Sequence, residues 1–171
     1  SCHGGDDDAV APLSDGYNDG SGETNSSFLA LDVNTMRFGN TSLASLEAAF
    51  KAMNKAMLRT DPTKATKKLI KGLSGGSGLP RNTQDLRYIP ASWQDEAVLY
   101  SDVIVPTCRG CHTVADSKLL RLEWWKANPG KIREEVFHEQ TMPNSLPAFD
   151  RFWSTNQHQI LLDALDRFEF P

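Results

Sequence analysis

The chain has 171 residues, enough for one compact domain or for a small domain with an extended arm, and too few for two large independent domains. Hydrophobic residues make up 39% of the sequence, which is sufficient for a buried core, and no apolar run reaches the roughly 20 residues that span a bilayer. The formal net charge is −4, and no recognition motif accompanies the basic residues, so nucleic-acid binding is not expected.

Charge is unevenly distributed along the chain. Residues 1–36 contain seven acidic residues and neither lysine nor arginine. Within residues 50–72, Asp61 is the only acid among seven bases: Lys51, Lys55, Arg59, Lys64, Lys67, Lys68 and Lys71. This pattern indicates either a solvated helix face or a surface that binds an acidic partner or the chain's own acidic arm.

Residues 1–27 are predicted to form a flexible acidic arm. Gly4-Gly5, Asp6-Asp7-Asp8 and Gly20-Ser21-Gly22 interrupt a stretch that has almost no apolar periodicity. Such an arm either tethers the remaining chain or becomes ordered only against a neighbouring subunit.

Residues 28–90 are predicted to form a helical extension that begins with an amphipathic helix. Apolar residues recur there at three- and four-residue steps: Leu43, Leu46, Phe50, Met53 and Met57. This spacing aligns them on one face of a helix, so both methionines are expected to be core residues.

A second helix is predicted to follow after a short turn. Asp61 is the expected N-cap, and Pro62 is the expected first helical residue, where a missing N–H does no harm. The apolar side of this helix consists of Leu69, Ile70 and Leu73. The helix is expected to end at the glycine-rich segment 74–78.

Residues 91–171 are predicted to form a third region, which is also helical. Ser92 and Asp95 fit a capping box that begins a helix, and Pro106 is expected to end or bend that helix. Further helices are predicted over 119–125, from Asn128-Pro129 onward, and after Ser154-Thr155-Asn156-Gln157. Because no strand signal or internal repeat is present, the expected fold class is all-α.

Cys108-Arg109-Gly110-Cys111-His112 is a C-x-x-C-H motif. Two thiols at this spacing can bond to the two vinyl groups of one haem, while the adjoining histidine reaches the iron. Arg109 and Gly110 are expected to be spacers. A thioredoxin-like dithiol lacks its usual βαβ setting here, and a zinc site lacks a second cysteine pair. The motif therefore predicts one covalently attached haem c.

The order of features over residues 91–171 resembles class I c-type cytochromes. A helix, the motif at 108–112, intervening helices, Met142-Pro143 and a terminal helix follow one another as in that family. The resemblance implies a helical haem domain with His112 and Met142 as axial iron ligands, and with its first and last helices crossing beside the haem. A soft thioether suits haem iron, and Pro143 stiffens the loop that presents Met142.

Other histidines remain alternatives as iron ligands. His138 lies four residues before Met142 and would give a bis-histidine site. His158 is expected on the surface near the start of the last helix. His3 can reach the iron of another subunit only if the arm docks there.

Aromatic residues are concentrated around the motif and are expected to pack in the core or against the porphyrin, where they exclude water. They are Trp93, Trp124, Trp125, Phe149, Phe152 and Trp153. Indole N–H groups, Arg151 and Lys118 are candidates for binding the haem propionates.

The predicted function is one-electron transfer by a haem iron with both axial positions occupied, and no catalysis by the polypeptide. Redox proteins are the expected partners. One alternative is a haem enzyme or a gas or redox sensor with an open sixth position, since His138 and Glu139 lie near Met142 in sequence. Another is an electron-carrying subunit of a respiratory or photosynthetic assembly or of a homo-oligomer.

Thioether attachment of haem predicts an extracytoplasmic location, such as a bacterial periplasm or cell surface. The motif uses two of the three cysteines and leaves Cys2. Three interpretations of Cys2 are open: acylation that tethers the chain to a membrane, an intermolecular disulfide, or a free thiol.

Overall fold

The computed structural model of the protein describes residues 28–36, 42–60, 62–114 and 118–170. Within these ranges the chain forms helices and no strand, which confirms the all-α prediction. The predicted arm, with Cys2 and His3, and the predicted cap Asp61 lie outside the described residues. No helix in the described ranges has the length and apolar character needed to cross a membrane.

The first predicted helix is confirmed as α1, Leu43–Met57. The prediction that Met53 is a core residue is wrong, because its side chain is 55% exposed. The buried position next to it is Asn54, whose side-chain amide bonds both the N–H and the carbonyl of Leu31, each at 2.9 Å. These two hydrogen bonds satisfy a polar side chain in the interior, so the buried face of α1 contains Asn54 and not Met53.

The second predicted helix is confirmed as α2, Lys64–Leu73, although it begins later than expected. The side chain of Thr63 accepts from the N–H of Thr66, so Thr63 is the N-cap and Pro62 precedes it. The predicted apolar side is buried, with Leu73 fully enclosed. The helix ends at Ser74, where the glycine-rich segment was expected to stop it.

Gly72 in α2 allows a close approach between this helix and Tyr88. A Cβ added at Gly72 would lie 2.0 Å from Cζ of Tyr88, far inside van der Waals contact. Only a residue without a side chain therefore fits against the ring in its present position.

We expect Gly72→Ala to lower the free energy of unfolding by roughly 1 kcal/mol. Overpacking costs about 1–3 kcal/mol, and the better helix propensity of alanine offsets about 1 kcal/mol of it. Gly78→Ala is the matched control, because an added Cβ there meets nothing within 4 Å. Urea unfolding of both variants measures the difference, and equal stabilities would contradict the close contact with Tyr88.

A nearly continuous helical run leads into the C-x-x-C-H motif. It consists of a 3-10 helix at Ala91–Glu96, α3 at Ala97–Leu99, a π-helical segment at Tyr100–Cys108 and α4 at Arg109–Val114. The predicted capping box is wrong, because Ser92 lies inside the 3-10 turn and no side chain caps that turn. This turn buries Trp93 completely and directs its indole N–H to the carbonyl of Leu120, 2.8 Å away.

Pro106 was expected either to end or to bend this helical run, and it does not end it. The backbone N–H of Arg109 donates to the carbonyl of Ile104, five residues earlier, so the hydrogen-bond ladder closes again beyond the proline. The wider winding accommodates the missing N–H of Pro106 and carries the helix directly into the cysteine motif.

The remaining chain is a series of short helices. They are a 3-10 turn at Lys118–Leu120, α5 at Leu122–Ala127, α6 at Pro129–Arg133, a π-helical segment at Glu134–His138, α7 at Leu146–Ser154 and α8 at Gln157–Glu169. The helices expected near 119–125, after Asn128 and at the end of the chain are confirmed. α7 was not predicted from the sequence. Proline near the first helical position is a start signal for such a helix.

The described residues enclose two hydrophobic clusters. The smaller cluster is formed by the extension and contains Ala30, Met57, Leu69, Ile70, Leu73 and Leu79. The larger cluster is formed by residues 93–165, with Trp93, Trp125, Phe152 and Leu161 among its members. The Tyr100–Cys108 segment crosses this larger cluster and packs against both α7 and α8.

Polar contacts at α4 join the extension, residues 28–90, to the region that carries the motif. The hydroxyl groups of Thr63 and Thr66 donate to the carbonyl of Thr113 at 2.9 Å and 3.2 Å. On the same helix, Arg109 is paired with Asp32. The extension is therefore anchored to the helix that carries the cysteine motif.

Candidate functional site

Three chemically active side chains of the motif lie on one side of one helix. Cys108 ends the π-helical segment, and Cys111 and His112 follow three and four residues later in α4. At helical spacing these positions are neighbours on one face. Cys111 is exposed, whereas Cys108 and His112 are partly buried. The two thiols and the imidazole are therefore available to a single ligand alongside α4.

The thiol of Cys108 is held in its protonated form. Burial raises its pKa from the ordinary value of 9.0 to about 11, with a smaller contribution from neighbouring Cys111. The hydroxyl of Thr107, 3.3 Å from Sγ, acts in the opposite direction and does not cancel the effect of burial.

In the haem-free protein, alkylation of Cys108 by iodoacetamide at pH 8 is expected to be about 100-fold slower than that of an unperturbed thiol, because only the thiolate reacts. A Cys2→Ser/Cys111→Ser variant of the full chain isolates this thiol, and its rate is measured from pH 7 to pH 11. The same variant in urea is the control, where the fast reaction of an ordinary thiol should return. Equal rates in the folded and unfolded chains would contradict the raised pKa.

His112 is suited to act as a neutral ligand. Burial lowers its pKa below the ordinary value of 6.5, and the Glu135 carboxylate opposes this only in part. At neutral pH the imidazole is therefore mainly uncharged and retains a nitrogen lone pair. Such a lone pair is what a metal ion requires.

Met142 lies in a loop that is fixed to the same region. The N–H and hydroxyl of Thr141 both donate to the carbonyl of Glu135, at 3.0 Å and 3.1 Å. Met142 is partly buried against the larger cluster, to which Cys108 also packs, and Pro143 beside it is buried. Glu135 thus connects the loop of Met142 with the surroundings of His112.

The other candidate histidines occupy different positions. His138 is exposed at the end of the Glu134–His138 segment. His158 near the start of α8 is not a simple surface residue, because its ring is partly buried and stacks on Trp153 at 5.7 Å between centroids. Its Nδ1 lies 3.3 Å from the carbonyl of Phe152. This contact occupies one nitrogen of His158.

The aromatic residues divide into two groups. Trp93, Tyr100 and Trp125 pack together in the larger cluster, with Trp93 at 5.2 Å from Tyr100 and 5.9 Å from Trp125 between centroids. A second group surrounds Trp153 and contains Phe137, Phe149, Phe152 and His158. The indole N–H of Trp153 is buried and has no hydrogen-bond partner among the described residues. This buried donor is therefore a candidate for binding a ligand.

A small cleft of about 260 Å³ lies beside Cys111. One wall is formed by Thr107, Gly110 and Cys111, and the other includes Ser145 and Arg151. Arg151, which the sequence suggested for propionate binding, therefore lies near the motif. Lys118, the other candidate, is exposed. Among the described residues, a Cβ added at Gly110 would meet only Thr35, at 3.7 Å.

Arg109 is not a spacer, contrary to the sequence interpretation. Its side chain is 1% exposed, and both Nε and Nη2 lie near one carboxylate oxygen of Asp32, at 2.8 Å and 2.6 Å. The guanidinium also lies over the ring of Tyr100, 5.7 Å from the centroid. Sequence spacing did not indicate this pair, because its members are 77 positions apart.

Comparison with protein-family models, with curated proteins and with solved structures gives no match to this chain. Within the described ranges, no group of three or more His, Cys, Asp or Glu side chains is arranged to hold a metal ion.

Proposed function

We propose that this chain is a monohaem c-type cytochrome that transfers single electrons. The observation that carries the proposal is the placement of Cys108, Cys111 and His112 at helical spacing where the Tyr100–Cys108 segment continues into α4. When bound, the haem supplies an iron that cycles between the ferrous and ferric states. The polypeptide attaches it, supplies axial ligands and controls its exposure to water.

The protonation state of His112 supports this role, because its imidazole is mainly neutral at physiological pH and retains a nitrogen lone pair for iron. A haem attached through Cys108 and Cys111 would lie along the face of α4 next to His112. Arg151 in the neighbouring cleft and the buried N–H of Trp153 are the groups that fit its propionates.

Met142 is the proposed second axial ligand. Its loop is hydrogen-bonded to the carbonyl of Glu135, whose carboxylate also acts on the pKa of His112. Its side chain packs against the same cluster as Cys108. His138, in contrast, is exposed at the end of its helical segment. A His/Met pair favours a higher reduction potential than two histidines.

The proposed haem domain is of the class I cytochrome type and covers residues 91–171. Packing of the terminal helix α8 against the helical segment that precedes the motif supports this assignment. Redox proteins would be its partners, and the bacterial periplasm or cell surface its location. A membrane tether through Cys2 and membership of a larger assembly also remain proposals.

Spectroscopy of the haem-loaded full chain tests the ligand assignment. We expect the ferric wild type to show a sulfur-to-iron absorption band at the red end of the spectrum. Met142→Ala should lose the band and lower the reduction potential, within the roughly 0.8 V range that axial ligands control. Met53→Ala is the matched control, because Met53 is exposed on α1.

Two outcomes would overturn parts of the proposal. A high-spin wild-type spectrum would indicate an open sixth position and favour a haem enzyme or a gas sensor. An unchanged spectrum and potential in Met142→Ala would exclude Met142 as the ligand.

A further inference from the structure

A second cavity of about 800 Å³ lies between α2 and the helical run that contains the motif. Its lining includes Lys64, Lys68, Tyr88, Tyr100 and Leu120. None of Cys108, Cys111, His112 and Met142 belongs to its lining. The cavity therefore contains none of the four residues proposed to hold the haem, although Arg109 and Thr113 of α4 line it.

The charged residues that line this cavity are all basic. Four of them have partly or fully exposed side chains: Lys64, Lys68, Lys71 and Arg121. Among the described residues, none of these four forms an ion pair with a carboxylate, and no Asp or Glu lines the cavity. Four like charges around one opening attract anions, and low-dielectric walls strengthen the attraction.

The walls below the basic residues are apolar and aromatic. Leu69 and Leu120 line the cavity together with the rings of Tyr88 and Tyr100. Burial raises the pKa of both tyrosines, so their hydroxyl groups stay uncharged at physiological pH. The contact of the Tyr88 ring with Gly72 helps to form this wall. These surfaces suit a flat ring more than a strongly hydrated ion.

We propose that the cavity binds a small organic anion with a flat aromatic body. Four basic residues at the opening form a rim that would hold a carboxylate, sulfonate or phosphate group: Lys64, Lys68, Lys71 and Arg121. The tyrosine and leucine walls would contact the ring system. An acidic protein partner fits less well, because it would meet the lysines at the opening and leave the concave space below them unfilled. The volume is in the range of sites that enclose small molecules.

Titration with 8-anilinonaphthalene-1-sulfonate, an aromatic sulfonate that fluoresces when bound in an apolar site, tests the proposal. The titration uses the full chain with its haem attached and follows binding by calorimetry, because haem quenches the fluorescence of a nearby dye. We expect saturable binding that weakens as the salt concentration rises, because the rim charges are screened. Absence of binding to the haem-loaded chain, with binding to the haem-free chain alone, would overturn the proposal by assigning the cavity to haem.

Removal of charges tests whether the anion binds to the rim or is attracted by the positive charge of the whole basic segment. Lys68→Gln/Lys71→Gln is expected to weaken binding about tenfold, the combined effect of two partly exposed charges. Lys55→Gln/Arg59→Gln is the matched control: it removes the same charge from exposed residues of the neighbouring basic segment that do not line the cavity. Equal affinities of the two double variants would contradict the proposed rim.

Filling the cavity tests whether the anion binds inside it or on the surrounding surface. Ala65→Trp places a large ring in the cavity and leaves every rim charge in place, so binding of the sulfonate should be lost. Ser92→Trp, at an exposed lining position, makes the same test if the first variant does not fold, as judged by circular dichroism. Binding that is unchanged in the folded variants would place the anion on the surface and exclude the cavity site.

Discussion

Asp32→Asn is expected to lower the free energy of unfolding by about 3–5 kcal/mol. The substitution keeps the shape of the side chain but removes the charge that balances the Arg109 guanidinium, which is 1% exposed. A buried cation without its counter-charge is far less stable than one in water, and breaking one partner of a buried pair has an effect of this size. Urea unfolding of the full chain, with and without haem, measures the change.

The exposed pair of Arg81 and Asp85 provides a matched control. Its two side chains are 52% and 33% exposed, and the N–O distance is 2.7 Å, similar to that of the buried pair. Asp85→Asn should therefore change stability by less than about 1 kcal/mol, because water screens both charges. If the two substitutions lower the free energy of unfolding equally, burial does not increase the contribution of the Asp32–Arg109 ion pair to stability.

The double variant Asp32→Leu/Arg109→Leu separates loss of the ion pair from loss of one partner. Removing both charges leaves no unbalanced ion, so it should be less destabilising than Asp32→Asn alone. Asp32 belongs to the extension and Arg109 to the motif helix α4. The ion pair is therefore a direct energetic connection between the extension and the helix that carries the cysteines.

Local sequence patterns were sufficient to locate most helices and failed where a distant partner decides burial. The three- and four-residue spacing predicted α1, yet it assigned Met53 to the core in place of Asn54. The burial of Asn54 depends on hydrogen bonds to Leu31, 23 residues earlier. The burial of Arg109 depends likewise on Asp32. No periodicity within one helix contains information about such partners.

The candidate site shows the same division. The spacing of Cys108, Cys111 and His112 predicted that they serve one ligand. Their helical setting was not predicted, because the preceding helix was expected to end or bend at Pro106. The anchoring of Met142 through Thr141 and Glu135 comes from a loop contact that no motif encodes. The helical winding through Pro106 was also missed, since proline usually ends a helix and only a wider hydrogen-bond pattern bridges it.

Cys108→Ala/Cys111→Ala is expected to eliminate covalently bound haem from the full chain produced with a cytochrome c maturation system. The two thiols are the groups that would form thioether bonds, whereas His112 can hold a haem only through its iron. Haem should therefore separate from the unfolded double variant and remain on the unfolded wild type. Haem staining of denaturing gels and the mass of the intact chain measure this difference.

Three further variants make the cysteine experiment specific. Cys2→Ala should retain the full covalent haem content, because Cys2 lies outside the motif. Cys108→Ala and Cys111→Ala alone should each retain one thioether, which leaves one vinyl group and shifts the haem absorption to longer wavelength. Covalent haem on the double variant, or its loss in Cys2→Ala, would contradict attachment at the motif. Loss of haem in the double variant alone, at unchanged helix content, would assign both bonds to the face of α4 beside His112.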